Sequence, residues 1–135
     1  MTDSKPFANK LALVTGASRG IGAATAEALS MGKRFGLDPA QMAEIINTST
    51  GRSFVSEVVM KEHVVNGAFA TGFALALLTK DVGIAARLGA ELGLDAPISK
   101  LVLERMKRAQ AECGEGADHS EAILGWYSDL WEKPE

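Results

Sequence analysis

The sequence predicts a mainly α fold, a multi-helix domain preceded by a single βα unit. Three observations lead there. A continuous apolar run short enough to be a buried strand, Leu11-Ala12-Leu13-Val14, occurs once and opens onto glycines 16, 20 and 22. From Ile21 onward, apolar residues recur at helical rather than alternating spacing. Helix-start signals then punctuate the chain at Asp38-Pro39, Ser53, Asp95-Ala96-Pro97 and Asp118.

Each element follows in order. Met1–Asn9 is polar and expected to fray. Leu11–Val14 reads as a parallel strand and Ile21–Phe35 as a helix rich in Ala, Glu, Leu and Met, ended by Gly36. Asp38 caps a short helix with Pro39 in its first turn and an apolar stripe of Met42, Ile45 and Ile46. Ser53 caps the next helix, with Phe54, Val55, Val58, Val59 and Val65 expected inside. A long helix is expected from about Gly72 to Leu92, with Leu77, Leu78, Asp81, Val82, Ala85, Leu88 and Leu92 near one face. Asp95-Ala96-Pro97 opens another, ending at Gly114, whose stripe is Ile98, Leu101, Val102 and Met106 with Arg105 flanking. Asp118 with Glu121 three residues later forms a capping-box pattern for a last helix through Trp131. Residues 1–30 thus form the βα unit and residues 31–135 the helical domain.

Composition bounds the function. The 135 residues are 47% apolar and 23% charged, ordinary for a water-soluble domain, and the net charge of −3 gives no electrostatic footprint for nucleic acid. Cys113 is the one cysteine, so no internal disulfide forms, which fits a reducing compartment. The longest uncharged apolar run, Gly67–Thr79, is shorter than the ~20 residues a membrane-spanning helix needs. No apolar leader is visible near the N-terminus, and a cytoplasmic location away from membranes is the expectation.

The motif with chemistry in it is Thr15-Gly16-Ala17-Ser18-Arg19-Gly20-Ile21-Gly22. Glycines between a strand and a helix let the backbone approach a pyrophosphate, where free amides and the positive end of the helix dipole favour anions. The other reading is a tight strand-to-helix turn with no ligand. This spacing resembles the cofactor-binding start of the short-chain dehydrogenases over residues 10–29, with every motif position matched. The resemblance implies NADP or NAD at Gly16, Ser18, Arg19, Gly20, Ile21 and Gly22, with Arg19 leaning toward the 2′-phosphate of NADP. That family's Tyr-x-x-x-Lys pair has no counterpart, because the only tyrosine, Tyr127, is followed four residues later by Trp131. No second strand follows the first helix, and with it goes the acidic ribose-binding residue.

From about Ala26 to Trp131 the chain resembles a different family. Glu27-Ala28-Leu29, Phe35-Gly36-Leu37-Asp38-Pro39, Ser49-Thr50-Gly51-Arg52-Ser53 and Phe73-Ala74-Leu75-Ala76-Leu77-Leu78-Thr79-Lys80-Asp81 are similar to the C-terminal helical domain of the β-hydroxyacid dehydrogenases of the 3-hydroxyisobutyrate dehydrogenase type. The resemblance implies a role for Lys80 near the cofactor and for Asp81 on the substrate side; a solvated lysine beside a helix-surface aspartate is the alternative. It also implies a catalytic lysine and an asparagine pair upstream of Glu27, where the glycine motif stands instead. Ala26-Glu27-Ala28-Leu29 suits the helices of both families, so one helix can serve both parts.

The remaining candidates are weaker. Arg52 has the fork to bind a carboxylate. His63 and His119 have no partners at metal-ligand spacing and read as surface or capping-region residues, and no metal site is expected. Trp126, Tyr127 and Trp131 read either as core or as a subunit interface. Taken together, the sequence implies a truncated or hybrid NAD(P)-dependent oxidoreductase of the 3-hydroxyacid type, acting on a small hydroxy acid and inactive alone. It is expected to form a homodimer or higher oligomer, and a non-catalytic helical oligomerisation module is the alternative.

Overall fold

The computed structural model describes residues 18–133. The strand expected at 11–14 and the first motif glycine, Gly16, lie outside the described residues. Helix α1 spans Ser18–Phe35, α2 Pro39–Asn47, α3 Val55–Val65, α4 Leu75–Glu91 and α5 Pro97–Cys113; a 3₁₀ turn, His119–Glu121, leads into α6, Ala122–Trp126. Among the described residues the only β pairing is an antiparallel bridge between Ala74 and Asp118. The structure is therefore mainly helical.

Local chemistry explains most boundaries. α1 runs unbroken from the glycine motif into Lys33-Arg34, whose charges complement the dipole at its C-terminal end. It stops at Gly36, whose φ of 96° only glycine adopts freely, while Leu37 N–H closes back on the Gly32 carbonyl at 2.9 Å. Asp38 caps α2 by accepting from Ala40 N–H at 3.0 Å, with Pro39 first in the helix.

α3 departs from expectation in kind, being π-helical. Five valines in its eleven residues make it a poor α-helix former, so packing governs its winding. Ser53 does cap it, accepting from Ser56 N–H at 3.1 Å. The buried Ser56 hydroxyl donates to Asn47 Oδ1 at 2.7 Å, and Asn47 Nδ2 donates to the Ser56 carbonyl at 3.2 Å, joining α2 to α3.

α4 begins at Leu75, not Gly72, because the residues before it are held extended. Leu75 N–H donates to the Ala117 carbonyl at 2.9 Å and His119 N–H to the Phe73 carbonyl at 2.8 Å. α5 opens on Pro97 and ends at Gly114 as expected. The Asp118–Glu121 capping box forms: Ser120 N–H donates to Asp118 Oδ1 at 2.9 Å and Asp118 N–H to Glu121 Oε1 at 3.0 Å. The last helix stops at Trp126, short of Trp131. That break turns Trp131 inward, where its Nε1–H donates to Ser30 Oγ at 2.9 Å.

Two cores result. The first gathers Ala26, Leu29, Val59, Met60, Val64, Phe69, Ile123 and Trp131. The second gathers Leu75, Leu78, Val82, Val102, Met106, Ala109, Ala117 and Ala122. Trp126 packs against both, so the core reading of the C-terminal aromatics holds for it and for Trp131. Helical spacing misassigned several residues to the interior. Ile45, Phe54, Leu77, Leu88, Leu92, Ile98 and Leu101 are exposed. On α4 the buried stripe is Leu75, Leu78, Val82, Ala86 and Gly89, set by where α5 lies, and the leucines at 77, 88 and 92 fall outside it.

Candidate functional site

A cavity of about 310 Å³ opens at the seam between the two cores. α1 contributes Gly22 and Ala23, α3 contributes Val55, Val59 and Met60, and α4 and α5 contribute Leu78 and Met106. Its remaining wall comes from Thr71 and Phe73 ahead of α4 and from the turn and helix carrying His119, Ser120, Ile123 and Trp126. The loop that delivers Thr71 contains Phe69, a buried non-glycine residue at φ 46°, held there by its side chain in the first core and by Phe69 N–H donating to the His63 carbonyl at 2.9 Å.

The polar side of this cavity is organised by Asp118. Its carboxylate accepts from Thr71 Oγ1 at 2.8 and 2.9 Å, from Gly72 N–H at 2.8 Å, from Ser120 N–H at 2.9 Å and from Ser120 Oγ at 2.6 Å. Partial burial by itself pushes the Asp118 carboxyl up, but the hydrogen bonds from Ser120, Thr71 and Gly72 outweigh it and hold the group below the ordinary carboxylate range. His119 Nδ1 lies 2.8 Å from Thr71 Oγ1 and 3.3 Å from the Phe73 carbonyl. Thr71 has one proton and gives it to the acceptor-only carboxylate, so its oxygen accepts from Phe73 N–H at 3.3 Å and, in the tautomer protonated at Nδ1, from the imidazole. The Phe73 ring meets the imidazole edge-on at 5.7 Å between centroids.

The motif residues occupy different ground. Ser18 and Arg19 begin α1. A side chain at Gly20 would bring its Cβ to 3.2 Å from Ile98, and one at Gly22 to 3.1 Å from Val55. Both glycines therefore serve close packing of α1, a role the linear motif did not reveal. Ile21 points outward, half exposed. Lys80 stands on the exposed face of α4 with Nζ 3.9 Å from Asp81 Oδ1, and it does not line the cavity. Arg52 spends its fork on Glu57, at 2.7 and 3.2 Å. His63 is half-buried rather than superficial, and its Nδ1 has no hydrogen-bond partner among the described residues. Cys113 donates to the Glu121 carbonyl at 3.3 Å, and burial pushes its thiol up, away from the reactive thiolate.

Sequence reasoning missed the Thr71–Asp118–His119 cluster. Asp118 was legible only as a cap, and no linear signal joins it to Thr71, 47 residues away.

Comparison with known proteins identifies the family. Residues 17–126 match the family profile described as NAD-binding of NADP-dependent 3-hydroxyisobutyrate dehydrogenase. The chain is 35% identical over 111 residues to 2-(hydroxymethyl)glutarate dehydrogenase of Eubacterium barkeri, covering 82% of this chain and 35% of that protein. It is 32% identical over 106 residues to 3-hydroxyisobutyrate dehydrogenase of Pseudomonas aeruginosa, covering 73% and 36%. The crystal structure of 3-hydroxyisobutyrate dehydrogenase from Salmonella typhimurium superposes with a TM-score of 0.71 at 27% identity, over 78% of this chain and 37% of that one. The chain thus spans about a third of the length of these relatives. Matched over most of its own residues, it belongs to the 3-hydroxyisobutyrate dehydrogenase family of NAD(P)-binding proteins.

Proposed function

We propose that this chain is the helical half of an NAD(P)-dependent 3-hydroxyacid oxidoreductase and that, alone, it turns over no substrate. One observation carries the reading: the likeness covers 82% of the chain but 35% of the dehydrogenase it resembles, and among the described residues there is no sheet to shape a dinucleotide pocket. In the parent reaction a hydride moves between the nicotinamide and a small β-hydroxy acid. Lys80, exposed on α4, is positioned to meet a cofactor presented from outside the helical body, with Asp81 beside it on the substrate side. The short-chain-like start, residues 1–30, would bring Gly16, Ser18, Arg19, Gly20, Ile21 and Gly22 to the diphosphate of NADP or NAD as a partial cradle. The chain works in the cytoplasm as a homodimer, its exposed Leu77, Ile84 and Leu88 giving an apolar face to a second copy. That same face favours the second reading, a helical oligomerisation module without catalysis.

Calorimetric titration with NADPH and NADH, run beside a hydride-transfer assay on 3-hydroxyisobutyrate, tests this. We expect no turnover and weak, NADPH-preferring binding that Arg19→Ala makes indifferent between the two cofactors. Turnover abolished by Lys80→Ala would overturn the claim of inactivity and restore a working enzyme. Absence of any cofactor binding, with concentration-dependent dimerisation in sedimentation, would favour the oligomerisation module. Gly20 is a poor choice for this test, because a side chain there would disturb its packing on Ile98 as well as any phosphate contact.

A further inference from the structure

We propose that the cavity at the seam of the two cores is a binding site for a small uncharged apolar molecule bearing a hydrogen-bond donor, a phenol or alcohol, and not for an anionic hydroxy acid. The proposal does not rest on the dehydrogenase reading.

Size and lining set the apolar part. About 310 Å³ is at the lower end of small-ligand clefts, and the walls are aromatic, aliphatic and thioether side chains, including Val59, Met60, Met106 and Trp126. The space exists because α1 presents Gly22 and Ala23 where it crosses α3, and neither fills it.

Proton directions set the polar part. Thr71 Oγ–H, Ser120 Oγ–H, Gly72 N–H and Ser120 N–H all point at Asp118. What the Ser120 hydroxyl leaves for a ligand is lone pairs, whereas Thr71 Oγ1 is already engaged by Phe73 N–H at 3.3 Å and by His119 Nδ1 at 2.8 Å. A molecule that donates is satisfied there, and one that only accepts is not. A carboxylate fares worst. No lysine or arginine lines the cavity among the described residues, and the ionised Asp118 stands behind its polar wall beside His119, so an anion would lose water and meet the Asp118 charge.

Methionines give a direct readout. Met60 and Met106 line the cavity, while Met31 is exposed and Met42 packs elsewhere in the first core. The experiment is methyl-¹³C methionine NMR on the full chain, titrated with 4-methylphenol, its methyl ether 4-methylanisole, and 4-methylbenzoate. We expect saturable shifts of Met60 and Met106 alone, with 4-methylphenol binding in roughly the millimolar range and 4-methylbenzoate at least about tenfold weaker. 4-Methylanisole should fall between them, and Ser120→Ala should bring 4-methylphenol down to its level. Ala23→Leu, which fills the space, should abolish the shifts. Equal binding of phenol and carboxylate, shifts spread to Met31 and Met42 as well, or no saturation would each overturn the proposal. The comparison of the three probes on the unmodified chain decides it even if a variant fails to fold.

Discussion

The two cores solve one problem by different means. The first closes over distance: Trp131 reaches back across the molecule to Ser30, 101 residues earlier, and its buried indole N–H is satisfied by the Ser30 hydroxyl. The second closes locally. α4 packs on the next helix, α5, and α5 meets α6 through small residues, with Ala109 and Gly125 so close that a Cβ on Gly125 would sit 2.9 Å from Ala109 Cα. Large side chains compensate for separation in the first core; in the second, small ones permit contact. Substitutions should therefore fail in opposite senses, by cavity in the first and by overpacking in the second.

The largest effect should come from Trp131→Ala. It removes a nearly fully buried ring and orphans the Ser30 hydroxyl on one side, and chemical denaturation should register a loss of about 3–5 kcal/mol. Trp131→Phe, which keeps most of the ring, should recover much of it. A loss under about 1 kcal/mol would mean that the C-terminal segment contributes little to the first core.

Gly125→Ala adds a single methyl group against backbone, which cannot swing aside as a side chain would. We expect a loss of about 1–3 kcal/mol with no recovery from other small residues such as serine. A neutral result would show that α5 and α6 can part without penalty, and the contrast between the cores would collapse.

Asp118 gives the smallest effect, and it depends on pH. Its folded-state pKa lies below the unfolded value, so its stabilisation is fully present above the unfolded carboxylate value of about 3.9 and is lost as pH falls through the lower folded value. Asp118→Asn should cost about 1 kcal/mol or less at neutral pH, since asparagine also caps, and should flatten the acid limb of the stability curve. An unchanged acid limb would mean that another carboxylate governs it.

How much of this was legible in the sequence follows the same division. The starts at Asp38, Ser53 and Asp118 were readable because capping is a short-range affair of side chain and nearby amide. Gly36 and Gly114 likewise announced their helix ends. What escaped depends on partners far along the chain. The late start of α4 comes from pairing with Ala117 and His119, and the early end of α6 goes with the seating of Trp131 in the first core. Phe54 and Ile98 fit helical stripes by spacing yet stand exposed, because spacing gives the angle between residues and not the direction of the neighbour. The site divides the same way. The glycine motif was visible letter by letter, whereas the packing of Gly20 on Ile98 and the convergence of Thr71, Asp118 and His119 needed the third dimension.

The placement of the two indole rings makes the chain its own reporter. Trp131 belongs to the first core alone, whereas Trp126 packs against both, with its Nε1–H on the Arg105 carbonyl at 2.8 Å and the Arg105 guanidinium over its ring. In emission spectroscopy a single-tryptophan variant retaining either ring would therefore follow a different event: one the melting of the first core, the other the parting of the two. Coincident transitions would mean that the pair unfolds as one cooperative unit, and separated ones that the seam yields first.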